Sequence, residues 1–208
     1  MRVFLLASCV SFFTSCDNAL DRNEASNPDK VLSFMISKGN MKTSRASMND
    51  ATMRTEFEVG DKAGVFAVHD GHIVDGFNNL ELTYNASGKW QPNESILYNT
   101  DMENYTFYAY YPYSASANVS GHVFNVKADQ ASVDNYKASD FLLGKTPGVS
   151  PTEQAVNITL NHVFSCAQVK VEPGNGFTQA ALDEAVIQVK FNHIRLAASI
   201  NLATGEVE

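Results

Sequence analysis

From residue 31 onward, apolar side chains recur at every second position in short runs, and Gly, Asn, Asp or Pro separates one run from the next. A period of two places alternate side chains on opposite faces of a strand. Runs this short and this regularly punctuated leave little room for helices. Residues 31–37 set the pattern, with Leu32, Phe34 and Ile36 on one face. "FEVGDKAGVFAV" (57–68) reads as a short strand, a Gly-Asp turn and a strand apolar on both faces, and Asp70-Gly71 is a hairpin turn signal. "NLELTYNASGKWQPN" (79–93) reads as two strands about an Asn-Ala-Ser-Gly turn. "YTFYAYYPY" (105–113) is a strand stopped by Pro112, which cannot donate to a central ladder. Residues 122–130 make another strand.

Residues 156–173 read as one long strand whose apolar phase changes. Val156, Ile158 and Leu160 are even-numbered, whereas Ala167, Val169 and Val171 are odd, so a bulge is expected between His162 and Cys166. Further strands are expected at 186–191 and 196–202, and only 178–185 reads as a helical turn or two. Roughly eight to ten short strands with little helix predict an all-β fold, an antiparallel sandwich or barrel. In the aromatic strand, Tyr105, Phe107, Ala109, Tyr111 and Tyr113 share one face and Tyr108 and Tyr110 the other. One face is expected in the core, the other under a loop or partly exposed.

A chain of 208 residues is long enough for one good core or two small ones. Its formal net charge is −8 and no basic patch is visible, which argues against nucleic acid, since phosphate binding is driven by Lys and Arg.

The first residues stand apart. Met1-Arg2 is a basic lead, residues 3–13 are nearly all apolar, and Thr14-Ser15 precede Cys16. This reads as a secretion signal, excluded from the fold. Small residues before a Cys point to a bacterial lipoprotein, with Cys16 as the acylated N-terminus, although Phe13 stands where Leu is usual. The alternative is a plain signal peptide cut nearby, with Cys16 incidental. Residues 1–16 are therefore assigned to the signal, the polar residues 17–30 to a flexible tether, and 31–208 to the fold. With Cys9 removed and Cys16 lipidated, Cys166 is alone and is expected to be buried in its strand as a small hydrophobe.

Signals for chemistry are sparse. His69 and His72 flank the Asp70-Gly71 turn and would converge, but spacing suggests no third ligand, and exposed turn residues are the plainer reading. No Ser elbow, Cys–His signature or phosphate loop is visible, and pairs such as Glu56/Glu58 and Asp101/Glu103 read as solvated faces. No cofactor or metal is implied. Five Asn-x-Ser/Thr sequons occur, at Asn85, Asn93, Asn104, Asn118 and Asn157; in a bacterial lipoprotein they read as turn and edge formers. Residues 37–55, with Lys42, Arg45 and Arg54, read as an exposed connection of the kind proteases cut.

Several segments, in this order, resemble the fimbrillins, the Mfa-like type V pilins of gut and oral anaerobes. They are "FEVGDKAGVFA" (57–67), Trp90 in "GKW", "YTFYAYYPYS" (105–114), "ADQASVDNYKASDFLLG" (128–144) with Gln130, Ser139, Asp140 and Phe141, and "ITLNHVFSCAQVKV" (158–171). The resemblance covers about residues 31–205, the family's N-terminal domain. It implies a transthyretin-like β-sandwich in a subunit that reaches the outer membrane as a lipoprotein. There an Arg-specific protease removes the first strand, and a neighbouring subunit's strand fills the groove left behind. The implied cut is Arg45-Ala46, with Arg54 as the alternative; equally, Arg45 is an ordinary loop residue and the strand stays. The chain ends at "INLATGEVE", about where the family's second domain begins, so a one-domain relative or a truncated product is expected.

The function so implied is a structural or adhesive subunit of surface fimbriae, with other subunits as partners and no enzymatic activity. In that subunit Trp90, Tyr108 and Tyr110 are the candidate adhesive aromatics, although core or loop packing is the favoured role for each; a carbohydrate-binding surface lipoprotein, to which Tyr110 would be central, is the alternative. A metal- or carboxylate-based hydrolase would require His69, His72 and a carboxylate to converge.

Overall fold

Eight strands build one sheet, and the sheet closes on itself. The computed structural model describes residues 31–39, 56–97, 103–150, 155–167 and 169–208. Cys16, Arg45, Ala46 and Arg54 lie outside the described residues. The strands are β1 (Phe34–Lys38), β2 (Lys62–His69), β3 (His72–Ile73), β4 (Leu80–Tyr84), β5 (Trp90–Pro92), β6 (Tyr105–Tyr111), β7 (His122–Asn125), β8 (Leu142–Val149), β9 (Val156–His162) and β10 (Ala197–Ile200). Two short helices, α1 (Val133–Lys137) and α2 (Gln179–Asp183), complete the described elements. The sheet runs β3-β2-β4-β5-β1-β9-β8-β6, and β6 returns to pair with β2, from Gly64↔Tyr110 to Val68↔Thr106.

The fold is all-β with little helix, as the punctuation predicts. It differs from a simple antiparallel sandwich in two respects. The β2–β6 pairing turns the sheet into a closed wall, and β1 runs parallel to β9 from Phe34↔Val156 to Lys38↔Leu160. Closure removes the exposed ladder edges that an open sheet must otherwise protect. Inside lies one apolar cluster, including Leu32, Phe34, Ile36, Val65, Leu82, Trp90, Phe107, Leu142, Ile158 and Leu160. Outside, the antiparallel β7–β10 ribbon covers one side of the wall and encloses a second cluster, with Phe66, Tyr108, Tyr110, Phe124, Phe141, Ile200 and Leu202.

The two clusters explain the aromatic strand. β6 sits between them, so its inward Phe107 and Tyr111 and its outward Tyr108 and Tyr110 are all buried. Tyr110 lies across the strand from Gly64, where a Cβ would meet its ring carbon Cε1 at 2.1 Å. The ring therefore occupies space that only glycine leaves. Its hydroxyl lies 2.7 Å from Asn79 Oδ1 and 2.9 Å from the Ser114 carbonyl, and accepts the Ser114 N–H at 3.2 Å.

Burial pushes the Tyr110 hydroxyl up to about 12, because the phenolate would be poorly solvated there. The unfolded value is near 10. The folded state thus holds its proton more tightly, and the stability this adds is complete below about pH 10 and lost between about 10 and 12. Tyr110→Phe is expected to cost about 1–3 kcal/mol, through the unpartnered Ser114 N–H and two lost acceptor contacts, and to flatten that alkaline limb. Urea melts at pH 8 and pH 11 check both effects.

Three local expectations fail. β9 ends at His162, and residues 163–167 and 169–196 contain no strand. Ala167, Val169 and Val171, and the alternating run at 187–191, find no ladder; Val186 is 94% exposed and Phe177, Val189 and Phe191 are exposed too. Alternation allows a strand but does not supply its hydrogen-bonding neighbour. Cys166 is accordingly exposed, with its Sγ 3.6 Å from the Tyr136 hydroxyl. Helix α1 was not expected; it is capped by Ser132, whose Oγ accepts the Asn135 N–H at 3.2 Å.

Candidate functional site

β1 is the strand that closes the wall between β5 and β9. Its two sides are unequal. Toward β9 it has five register pairs, with the Val156 N–H on the Ser33 carbonyl at 2.8 Å and the Gly39 N–H on the Leu160 carbonyl at 2.6 Å. Toward β5 it has one, Phe34↔Trp90, supported by the Leu32 N–H on the Ile96 carbonyl at 2.8 Å and a bridge from Val31 to Leu97. Leu32, Phe34 and Ile36 point inward and are buried, as their alternation predicts, whereas Met35 is 61% exposed. Phe34 meets Phe107 edge to face at 6.1 Å between centroids. Burying three such side chains contributes about 2 kcal/mol each.

The far end of β1 carries a charge. Lys38 places its ammonium 4.1 Å from the Phe57 ring centroid and 5.9 Å from that of Tyr111. Phe57 is held edge-on by Trp90 at 4.9 Å and by Tyr111 at 5.4 Å. Burial lowers the Lys38 pKa, opposed by the charges of Asp140, Asp61 and Glu56. Tyr111 donates to Asp61 Oδ1 at 3.2 Å, and burial followed by the Asp61 charge pushes its hydroxyl pKa up. Asp140 Oδ1 lies 2.6 Å from His162 Nδ1. Asp61, Tyr111 and Asp140 come from well-separated turns and strands, and no local spacing announces that they meet; the sequence signal for Lys38 is only its place two residues after Ile36.

The groove around β1 can hold an extended segment by a main-chain ladder, by pockets for alternate side chains and by an aromatic end that receives a cation. Trp90, Tyr108 and Tyr110 do not form a binding surface. They are 2%, 8% and 0% exposed, which matches the favoured reading of core packing and corrects their candidacy as exposed adhesive rings: Trp90 packs against Phe57 and Tyr84, and the two tyrosines lie beneath the β7–β10 ribbon. His69 and His72 face each other across the hairpin, where Asp70 and Gly71 take φ of 48° and 78°. His69 stacks on Tyr105 at 4.8 Å. Among the described residues, no three His, Cys, Asp or Glu side chains gather in a way that would hold a metal ion. Nor is any helix among them long and apolar enough to cross a membrane.

The fimbrillin-like family profile matches residues 44–208. A Bacteroides ovatus protein provisionally described as fimbrium tip subunit Fim1C is 34% identical over 122 residues, 55% of this chain and 21% of that protein. A B. ovatus protein of known structure, provisionally described as a cell adhesion protein, shares the fold with a TM-score of 0.53 at 18% identity, over 85% of this chain and 65% of that one. A fimbrial protein from B. ovatus gives a TM-score of 0.47 at 24% identity, over 64% of this chain and 28% of that one. The chain thus spans about a fifth of the length of the curated relative it matches.

Proposed function

This chain belongs to the fimbrillin-like family, and on that premise we propose that it is a structural and adhesive subunit of bacterial surface fimbriae, assembled by exchange of its first strand. The observation that carries the reading is the position of β1. It fills a groove in an otherwise continuous wall, and the segment joining it to the following strand contains Arg45-Ala46. Cutting there would free β1, uncover the pockets of Leu32, Phe34 and Ile36, and leave β5 and β9 with unpaired edges. A strand from another subunit would restore both burial and ladder. The family match begins at residue 44, beyond β1 and next to Arg45, which agrees with a first strand that is dispensable to the mature unit. In this reading Cys16 carries the lipid that holds the precursor at the outer membrane, and the protein has no enzymatic role. The carbohydrate-binding alternative loses its candidate platform with the burial of Trp90, Tyr108 and Tyr110.

Mass spectrometry of the N-terminus, on protein taken from the native cell envelope, tests this directly. The expected mature chain starts at Ala46. A chain that starts at acylated Cys16 and keeps β1 would overturn strand exchange and leave an anchored surface protein.

A further inference from the structure

We infer that the groove selects its strand through a cation socket: a donated strand must present a lysine or arginine two residues beyond its last inward apolar side chain, where Lys38 now sits. The inference rests on the strand-exchange reading and specifies the partner it requires. The socket is built by residues outside β1: the Phe57 and Tyr111 rings face the ammonium, and the charges of Asp140, Asp61 and Glu56 act on it from further off. These remain when β1 leaves. Tyr111 and His162 hold Asp61 and Asp140 in place, at 3.2 and 2.6 Å. Lys137 is the cation whose charge opposes Lys38 there, and its ammonium is engaged by Glu58.

An emptied socket is therefore a half-buried aromatic face among acids. It attracts a cation through both the rings and the carboxylates, and repels an acidic side chain. A buried, partnered charge adds little net stability, because desolvation consumes most of the gain, but it discriminates strongly between candidate occupants. The next position is also restricted. A Cβ at Gly39 would lie 3.2 Å from the Leu160 carbonyl oxygen and 2.2 Å from Oδ1 of the exposed Asn161, whose side chain can turn aside, so a small residue is favoured after the cation. The preferred donor thus has three alternating apolar residues, then a basic residue, with a small residue favoured next.

The test uses the full chain, cut by an Arg-specific protease in the presence of fluorescent peptides spanning residues 29–39. The peptides carry the native sequence, Lys38→Arg, Lys38→Glu or Phe34→Asp, and incorporation is read by anisotropy and gel filtration. The native and Lys38→Arg peptides are expected to enter about equally, Lys38→Glu at least about tenfold less, and Phe34→Asp not detectably. Equal entry of the native and Lys38→Glu peptides would overturn the socket and leave strand exchange standing. If no peptide enters, strand exchange fails and the donor rule with it.

Discussion

Phe34→Asp is expected to detach the first strand while the rest of the wall stays folded. Phe34 is buried against Phe107, paired with Trp90 on one side and Val156 on the other. Losing the ring from such a site costs about 3–5 kcal/mol. An unpartnered carboxylate in the same pocket adds several more. That sum exceeds what β1 gains from its three inward side chains, at about 2 kcal/mol each, but the covered outer cluster and the β2–β4 and β2–β6 ladders do not depend on β1. Amide hydrogen exchange should show loss of protection in β1 and along the facing edge of β9, with β2 and β6 still protected. Met35→Asp, on the exposed side of the same strand, should change stability by no more than about 0.5 kcal/mol. Global unfolding of the Phe34 variant would mean that the strand is integral, and would count against its exchange.

Gly144→Ala is expected to be among the most damaging single-methyl changes in the chain. Gly144 pairs with Ala109 on one side, and on the other an added Cβ would lie 2.4 Å from the Thr159 carbonyl oxygen of β9 and 3.0 Å from Ile158 Cγ2 and Leu160 Cδ2. The closest atom belongs to backbone, so no rotamer relieves the clash; β8 and β9 must separate. Overpacking of this kind costs about 1–3 kcal/mol where side chains can adjust, and more where a ladder must open. We expect a loss of at least about 3 kcal/mol in urea unfolding, a large share of the 5–15 kcal/mol typical of a folded domain. A loss below 1 kcal/mol would mean that the two strands are less closely packed than described.

Local features of the fold were legible. The alternation at 31–37 and 156–160 reports which side chains point inward, because in both places one face meets a core and the other water. Asp70-Gly71 marks a hairpin because both residues take positive φ. Closure of the sheet was not legible, since the β2–β6 and β1–β9 contacts join distant segments and leave no local period. The same limit explains residues 187–191, which alternate like a strand yet remain exposed: a pattern shows what a segment can bury, not whether a neighbour is present. Tyr108 and Tyr110 were ambiguous for a related reason, because their cover, the β7–β10 ribbon, comes partly from residues 197–200. The Lys38 socket drew on Phe57, Asp61, Tyr111 and Asp140, whose convergence only the closed wall creates.

The parallel pairing of β1 with β9 also has a consequence in time. Ser37 and Thr159 face each other across 122 positions of chain, so the first strand to be synthesised is the one that must wait longest for its main partner. Contacts this distant form late, since the loop between them must be ordered before they gain anything. A nascent chain therefore passes through a stage in which its groove is open and its own strand is unplaced. Covalent attachment gives β1 a high effective concentration at the groove during that interval, so a neighbour's strand competes poorly. On the strand-exchange reading proposed above, the covalent link between β1 and the rest of the chain is therefore also a clock: while it is intact, self-complementation outruns exchange.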